Sequence, residues 1–288
     1  MTHIVGLMLA RNEEWILECT IPAAMEWVDT LVVLDHASTD STPQIIASMI
    51  DRFPGRIVSL EVHDTEHWDE MDHRQMTLEV GRKIGGTHFA IIDADEMIRY
   101  DSVPIIRQSV ESLIPRQILQ VPLFCMWRSP YQYRSDNSVW GRAKLTLAFG
   151  DSPDMCWATR DGYHHHNRTP SNTHSIPLLP FPAREYGGAC HLQWVDWERV
   201  KAKHAWYKMM ERVRWGKDHT VLNRVYGQAL NESMVHVSTM PASWMLGWRD
   251  LINTIRIGEP SWHVAECRRL LEKYGRAKFA GLDLFGVV

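Results

Sequence analysis

The sequence predicts an α/β fold, a mixed and largely parallel sheet flanked by helices. Three observations lead there. Short apolar runs alternate with amphipathic stretches through the first 125 residues. Most helical stretches carry a start or stop signal of their own. Polar and acidic residues collect at the ends of the apolar runs, where open α/β sheets bind ligands.

Residues 4–9 form a continuous apolar run, the pattern of a strand buried on both faces. Helical spacing follows over 13–27, with Pro22 placed to interrupt it. A second apolar run covers 31–34. Residues 43–53 read as a helix, with Ser41 or Thr42 as N-cap and Pro43 in the first turn. A third strand is expected over 57–62, then a helix over 72–84 that stops at Gly85-Gly86. Residues 88–92 are the fourth strand, 103–113 a helix and 117–124 a strand. Past residue 126 the periodicity fades into a stretch rich in Trp, Arg, Tyr, Pro, His and Asn, with one strand over 144–149. A long irregular stretch inside a compact protein is more often functional than decorative. Helices are expected over 195–215, 241–256 and 262–275. The implied division is an α/β domain over 1–125 and a second segment over 126–288, irregular and then helical, packed as one unit with the first.

The chain has 288 residues, enough to bury a sizeable core, and its 45% hydrophobic and 23% charged content is that of an ordinary globular enzyme. Residues 1–150 hold 13 basic and 21 acidic side chains, residues 151–288 hold 18 and 14. The acidic part suits a metal and the basic part an anionic partner, unless the difference is ordinary surface variation. The five cysteines are odd in number and form no CxxC pair, which argues against a disulfide framework or structural zinc and for reduced thiols in the cytoplasm. No apolar window reaches the roughly 18–20 residues that a membrane helix needs. Neither GxGxxG nor a Walker A sequence occurs, which disfavours dinucleotide oxidoreductases and P-loop NTPases.

The chemistry concentrates at the predicted strand ends: Ala10-Arg11-Asn12, Asp35-His36, His63-Asp64 and Asp93-Ala94-Asp95-Glu96. An apolar strand that delivers three carboxylates at its tip needs a cation or raised pKa values, because buried like charges repel. Hard oxygen donors suit Mg²⁺ or Mn²⁺; a solvated turn with Asp caps is the plainer reading. Asp35 can accept hydrogen bonds from a base or ribose, or stabilise its own loop. His191 follows Gly187-Gly188-Ala189-Cys190 and is either a strand-end metal ligand or a hydrogen-bonded core histidine. The run His164-His165-His166, with Arg168, could meet an anionic leaving phosphate or an acceptor, or be a solvated loop. Helix 195–215 interleaves Trp with Lys and Arg, as a polyanion-binding or a solvated amphipathic helix would.

Together these pieces resemble the GT-A (Rossmann-like) fold of family 2 glycosyltransferases. The resemblance rests on Leu9-Ala10-Arg11-Asn12-Glu13-Glu14, on Val33-Leu34-Asp35-His36-Ala37-Ser38-Thr39-Asp40-Ser41-Thr42, on Arg74, and on Asp93-Ala94-Asp95-Glu96, in order across residues 3–100. It departs from the family pattern at His36-Ala37, where a small or acidic pair is more usual. It implies a metal-dependent, inverting hexosyl- or pentosyltransferase that uses a UDP-sugar donor. Ala10, Arg11 and Glu13 would line the nucleotide pocket and Asp35 would bind the base or ribose. Arg74 would stand near the diphosphate or shape the pocket. Asp95 would bind Mn²⁺ or Mg²⁺ with His191, and Asp93, beside Ala94, would hold the ribose or the metal. A carboxylate must serve as general base, for which Asp161 and Asp154 are the candidates. The acceptor would be a glycan, lipid-linked or on protein; the basic second half of the chain raises a modified base in DNA as a narrower alternative. A nucleotidyltransferase and a non-catalytic nucleotide-sugar-binding protein are the alternatives from other classes.

Overall fold

The computed structural model describes residues 1–64, 69–157, 168–173, 179–180, 184 and 187–288. Its strands are β1 (Ile4–Ala10), β2 (Thr30–His36), β3 (Ile57–Val62), β4 (His88–Asp93), β5 (Glu96–Ile98), β6 (Ile118–Cys125), β7 (Gln132–Arg134), β8 (Lys144–Gly150), β9 (Leu179–Pro180), β10 (Ala189–His191) and β11 (Val237–Thr239). Its helices are α1 (Leu17–Met25), α2 (Thr42–Arg52), α3 (Glu70–Lys83), α4 (Val103–Glu111), α5 (Trp197–Trp215), α6 (His219–Leu230), α7 (Ala242–Met245), α8 (Arg249–Ile252) and α9 (Trp262–Tyr274).

The strands join in the order β3-β2-β1-β4-β8-β6-β10-β5, with β9 beside β6, while β7 and β11 pair separately. The pairs β3–β2, β2–β1 and β1–β4 are parallel; β4–β8, β8–β6 and β10–β5 are antiparallel. This is the α/β class and the mixed, helix-flanked sheet expected of a GT-A-like chain.

Side-chain alternation along the central strands explains the layering. Ile4, Met8, Leu31, Val33 and Ile92 share one core with α1, α2 and α4; Val5, Leu7, Val32, Phe89 and Ile91 share another with Met71 and Leu78 of α3. At the edge, β3 alternates between more and less buried residues, because helices cover only one of its faces fully. Asp69 caps α3 by accepting from the Met71 and Asp72 amides. Gly81 lets α3 press on β4, since a Cβ there would stand 2.6 Å from the Phe89 ring.

Two helices differ from the expectation. The stretch 13–27 is helical only over Leu17–Met25, with Pro22 inside it. The stretch 241–256 breaks into α7, a 3₁₀ turn and α8, because Gly247 packs on the Tyr100 ring and the Trp248 indole donates to the Ile98 carbonyl at 2.8 Å.

The chain forms two compact units: Met1–Phe124, Ala143–His191 and Met240–Ile255 in the first; Cys125–Arg142, Leu192–Thr239 and Arg256–Val288 in the second. The first reaches past residue 125 because β8 and β10 complete its sheet. In the second, Ala205, Trp206 and Met209 of α5 pack against Cys267 and Leu270 of α9 and against Phe279. Among the described residues no helix is long and apolar enough to cross a membrane.

Candidate active site

The four parallel strands end along one edge, so the registers Ala10↔Asp35, Asp35↔Glu61 and Leu9↔Asp93 bring their terminal residues side by side. Two loops close over this edge and lock together. The Asn12 side-chain oxygen accepts from the Thr39 amide at 2.7 Å and the Asp40 amide at 3.3 Å. In return the Asn12 amide donates to the Ser38 hydroxyl and the Glu13 amide to the Thr42 hydroxyl, both at 2.8 Å. Asn12 and Ala37 sit at φ 53° and 50°, in the left-handed region. The Glu13 carboxylate accepts from the Trp15 indole at 2.6 Å. Asp35 accepts from the Ser38 hydroxyl at 2.5 Å; burial raises its pKa, and the neighbouring charges of Asp40 and Glu61 push the same way.

Beside Asp35, His36 and His73 face each other at 4.8 Å between ring centres, both buried. Arg11 Nη1 lies 3.3 Å from His36 Nδ1. Guanidinium only donates, so Nδ1 accepts and the neutral ring carries its proton on Nε2. Burial, then the charges of Arg11 and His73, pull the His36 pKa down to about 4. Burial likewise lowers His73.

The carboxylate tip is an ordered ionic chain. Arg74 donates to Glu70 at 3.0 and 2.7 Å and to Asp93 Oδ1 at 3.0 Å. Arg168 donates to Asp93 Oδ2 at 2.6 Å and to Glu96 at 3.0 and 2.8 Å. Burial would raise the Asp93 pKa, but Arg168 and Arg74 outweigh it and hold the carboxyl below its ordinary value. Glu96 goes the other way, raised by burial. The Ala94 carbonyl is fixed by the Thr20 hydroxyl at 2.7 Å.

Asp95, whose charge also acts on Asp93 and Glu96, faces His191. It is buried in the turn between β4 and β5, and its Oδ1 lies 3.3 Å from His191 Nε2. The contact follows from register, because β10 pairs with β5 and His191 is opposite Glu96. Two donors on one octahedral Mg²⁺ or Mn²⁺, each at about 2.1 Å, would lie about 3.0 Å apart, so this pair fits a shared cation. No set of three His, Cys, Asp or Glu suited to a metal occurs among the described residues. A cation here would have positions for phosphate oxygens and water, the usual pattern for Mg²⁺ beside a nucleotide. Asp93 fits a metal less well, since each of its oxygens already faces a guanidinium.

Ala10, Arg11, Glu13, Asp35, Arg74, Asp93, Ala94, Asp95 and His191 therefore all lie on the first unit's sheet edge or its flanking helix. Asp154 does not. The β4–β8 pair is antiparallel with Gly150 opposite His88, so Asp154 follows β8 at the amino ends of the parallel strands. Strand β4, at roughly 3.3 Å per residue, separates that end from Asp93 by about 17 Å. Asp154 there is exposed and paired with Arg116 at 2.5 Å. Asp161 and His164, His165 and His166 lie outside the described residues.

Of the tryptophans, Trp127, Trp157 and Trp194 are buried, while Trp140 packs on Trp194 and Trp197 on Trp127. Helix α5 is neither a basic stripe nor a solvated one. Nine of its residues are buried, Lys201 pairs with Glu198, Lys208 donates to the Asp283 carbonyl, and Arg212 donates to backbone carbonyls at 216 and 217. Sequence reasoning missed Glu70 and the pairing of Arg168, whose partners lie 72 and 75 residues away. No local pattern announces such a contact.

No family model matches the chain, and no curated protein matches it in sequence. Solved structures do resemble it in outline. The crystal structure of S. aureus TarS 1–349 is 12% identical, with 96% of this chain and 88% of that one covered and a TM-score of 0.43. A mycobacterial protein is 19% identical over 44% of this chain and 42% of its own, with a TM-score of 0.31. Glucosyl-3-phosphoglycerate synthase from Mycobacterium tuberculosis, solved with Mn²⁺, UDP and phosphoglyceric acid, is 22% identical over 43% of each chain, with a TM-score of 0.28. At these scores the likenesses carry no functional weight; the site's own geometry does.

Proposed function

We propose that this protein is a glycosyltransferase that takes a sugar from a UDP-sugar and places it on an acceptor hydroxyl, with a divalent cation at Asp95 and His191. The observation that carries this reading is the Asp95–His191 pair, 3.3 Å apart at the carboxyl edge of the parallel strands, with Asp35 on the same edge. The strand-end motifs and their order support it further.

In this reading Asp35 accepts a hydrogen bond from the base or ribose at the end of β2. Arg11 and Glu13 line the nucleotide pocket above Ala10. Arg74 is buried with its Nε and Nη2 committed to Glu70 and Asp93, so in this reading it shapes the pocket by holding Asp93. Asp93, kept ionised, accepts from a ribose hydroxyl. Asp95 and His191 would hold Mn²⁺ or Mg²⁺, which supplies charge stabilisation as the sugar–phosphate bond breaks. A single in-line displacement inverts the anomeric carbon, and a carboxylate takes the acceptor's proton as it attacks. Asp161 is our candidate for that base; Asp154 is placed at the wrong end of the sheet. Nothing on α5 favours a DNA acceptor over a glycan.

Thermal unfolding with a panel of nucleoside diphosphates, each with and without Mn²⁺, tests the proposal. UDP with Mn²⁺ at 100 times its dissociation constant should stabilise the wild type by about 2.7 kcal/mol. Asp95→Ala and His191→Ala should lose the Mn²⁺-dependent part. No shift with any nucleotide would sink the donor-site reading. Release of pyrophosphate from a nucleoside triphosphate, as its nucleotidyl group passes to a sugar phosphate, would replace it with a nucleotidyltransferase.

A further inference from the structure

Five ionic side chains alternate in sign along the sheet edge: Glu70, Arg74, Asp93, Arg168 and Glu96. The middle member is bridged on both sides, Oδ1 by Arg74 and Oδ2 by Arg168. Arg168 comes from far along the chain, and all five of its N–H donors are engaged. Its Nε donates to the Thr146 carbonyl at 3.2 Å, Nη1 to Asp93 at 2.6 Å and Glu96 at 3.0 Å, and Nη2 to the Ile91 carbonyl at 2.7 Å and Glu96 at 2.8 Å. A guanidinium has five N–H donors, so none is left for a phosphate. The two carbonyls are equally telling. The β4–β8 ladder runs from His88↔Gly150 only to Ala90↔Ala148, and the guanidinium takes the Ile91 and Thr146 carbonyls just past its end.

We propose that Arg168 is a resident cation of the carboxylate tip, a positioning residue that neutralises Asp93 and Glu96 and so reserves the divalent metal for Asp95 and His191. The inference rests on the donor-site reading for the identity of the metal pair, but its own prediction concerns Asp93 and Glu96. Two carboxylates that flank one turn, Glu96 buried and Asp93 half-buried, need positive charge beside them. With Arg168 in place they have it. Without Arg168 they present oxygen donors to any hard cation in solution.

Mn²⁺ binding to the full-length protein, followed by the loss of the free-ion electron paramagnetic resonance signal with and without UDP, decides the matter. Wild type should take one Mn²⁺ through Asp95. Arg168→Met should take a second, even without UDP, and Arg168→Met/Glu96→Gln should return to one. Arg168→Lys keeps the charge and should stay at one. A folded Arg168→Met with wild-type stoichiometry would overturn the proposal. So would a wild-type site that survives Asp95→Ala and vanishes in Asp93→Asn.

Should Arg168→Met prove too unstable to titrate, melting temperatures answer instead. Removing the unbalanced charge in Arg168→Met/Glu96→Gln should restore several degrees relative to Arg168→Met. No recovery would mean that the guanidinium serves only its two carbonyls, and the proposal falls. Absence of both Mn²⁺ and nucleotide binding in wild type sinks the donor-site reading, whereas gain of Mn²⁺ by Arg168→Met still establishes the resident cation.

Discussion

His36 is a histidine built to stay neutral. Its ordinary pKa is about 6.5, and the folded value is about 4. Between those two values the unfolded chain takes up a proton that the folded chain refuses. Stability contributed by neutral His36 is therefore full above about pH 6.5 and is lost as the pH falls towards 4. We expect the melting temperature of His36→Gln to fall less steeply than wild type across that window; superimposable curves would refute it. Asn12 makes a second prediction at this scale. Its side chain closes two loops from a left-handed backbone that asparagine tolerates better than most residues. Asn12→Ala leaves the Thr39 and Asp40 amides without their acceptor and should cost about 1 kcal/mol in denaturant unfolding. Residue chemistry was partly legible in sequence. Asp35, Asp95 and His191 stand at strand ends, and strand ends can be read from where an apolar run stops. Arg168 could not be placed, because its role exists only once β4 and β8 have paired and parted.

Elements with strong local signals formed where their residues said. Helices over 42–52, 70–83, 103–111 and 262–274 lie within two residues of the expected bounds, since caps, prolines and glycines act locally. Helix α6 was missed: its apolar residues divide between buried Leu222 and exposed Val221 and Val225, which blurs any stripe. The break between α7 and α8 was missed too, because the ring that forces it belongs to Tyr100. The short strand β10 offers the sharpest test. Gly188 precedes it at φ 156°, and a Cβ there would meet the Pro122 carbonyl at 2.5 Å. Backbone cannot retreat as a side chain can, so Gly188→Ala should lose about 1–3 kcal/mol and, with β10 displaced, the Mn²⁺-dependent nucleotide shift. A variant that melts like wild type and keeps the shift would contradict this.

For the whole molecule, chain order and spatial order part company. The first unit is assembled from three separated segments, so a boundary drawn at residue 125 from fading periodicity misses the return of β8 and β10. Strand order depends on pairings between distant segments, which composition and period do not encode. The cysteines allow a check on the whole fold. Cys19, Cys125, Cys190 and Cys267 are buried, and burial pushes Cys19, Cys190 and Cys267 up to about 12; Cys156 is half-buried. A colorimetric thiol reagent at neutral pH should therefore titrate about one thiol quickly in the native protein and all five in denaturant. Rapid reaction of three or more native thiols would show the packing of both units to be wrong.

The pairing of three residues of β10 with β5 has a consequence of counting rather than chemistry. Alternate residues of a strand face opposite ways, so one residue inserted between Gly188 and Ala189 would leave Asp95 and His191 intact in the sequence yet turn the imidazole to the other face of the sheet. The proposed metal pair is thus written partly in the spacing of the chain, and a length change of one there should silence it as thoroughly as deleting the histidine.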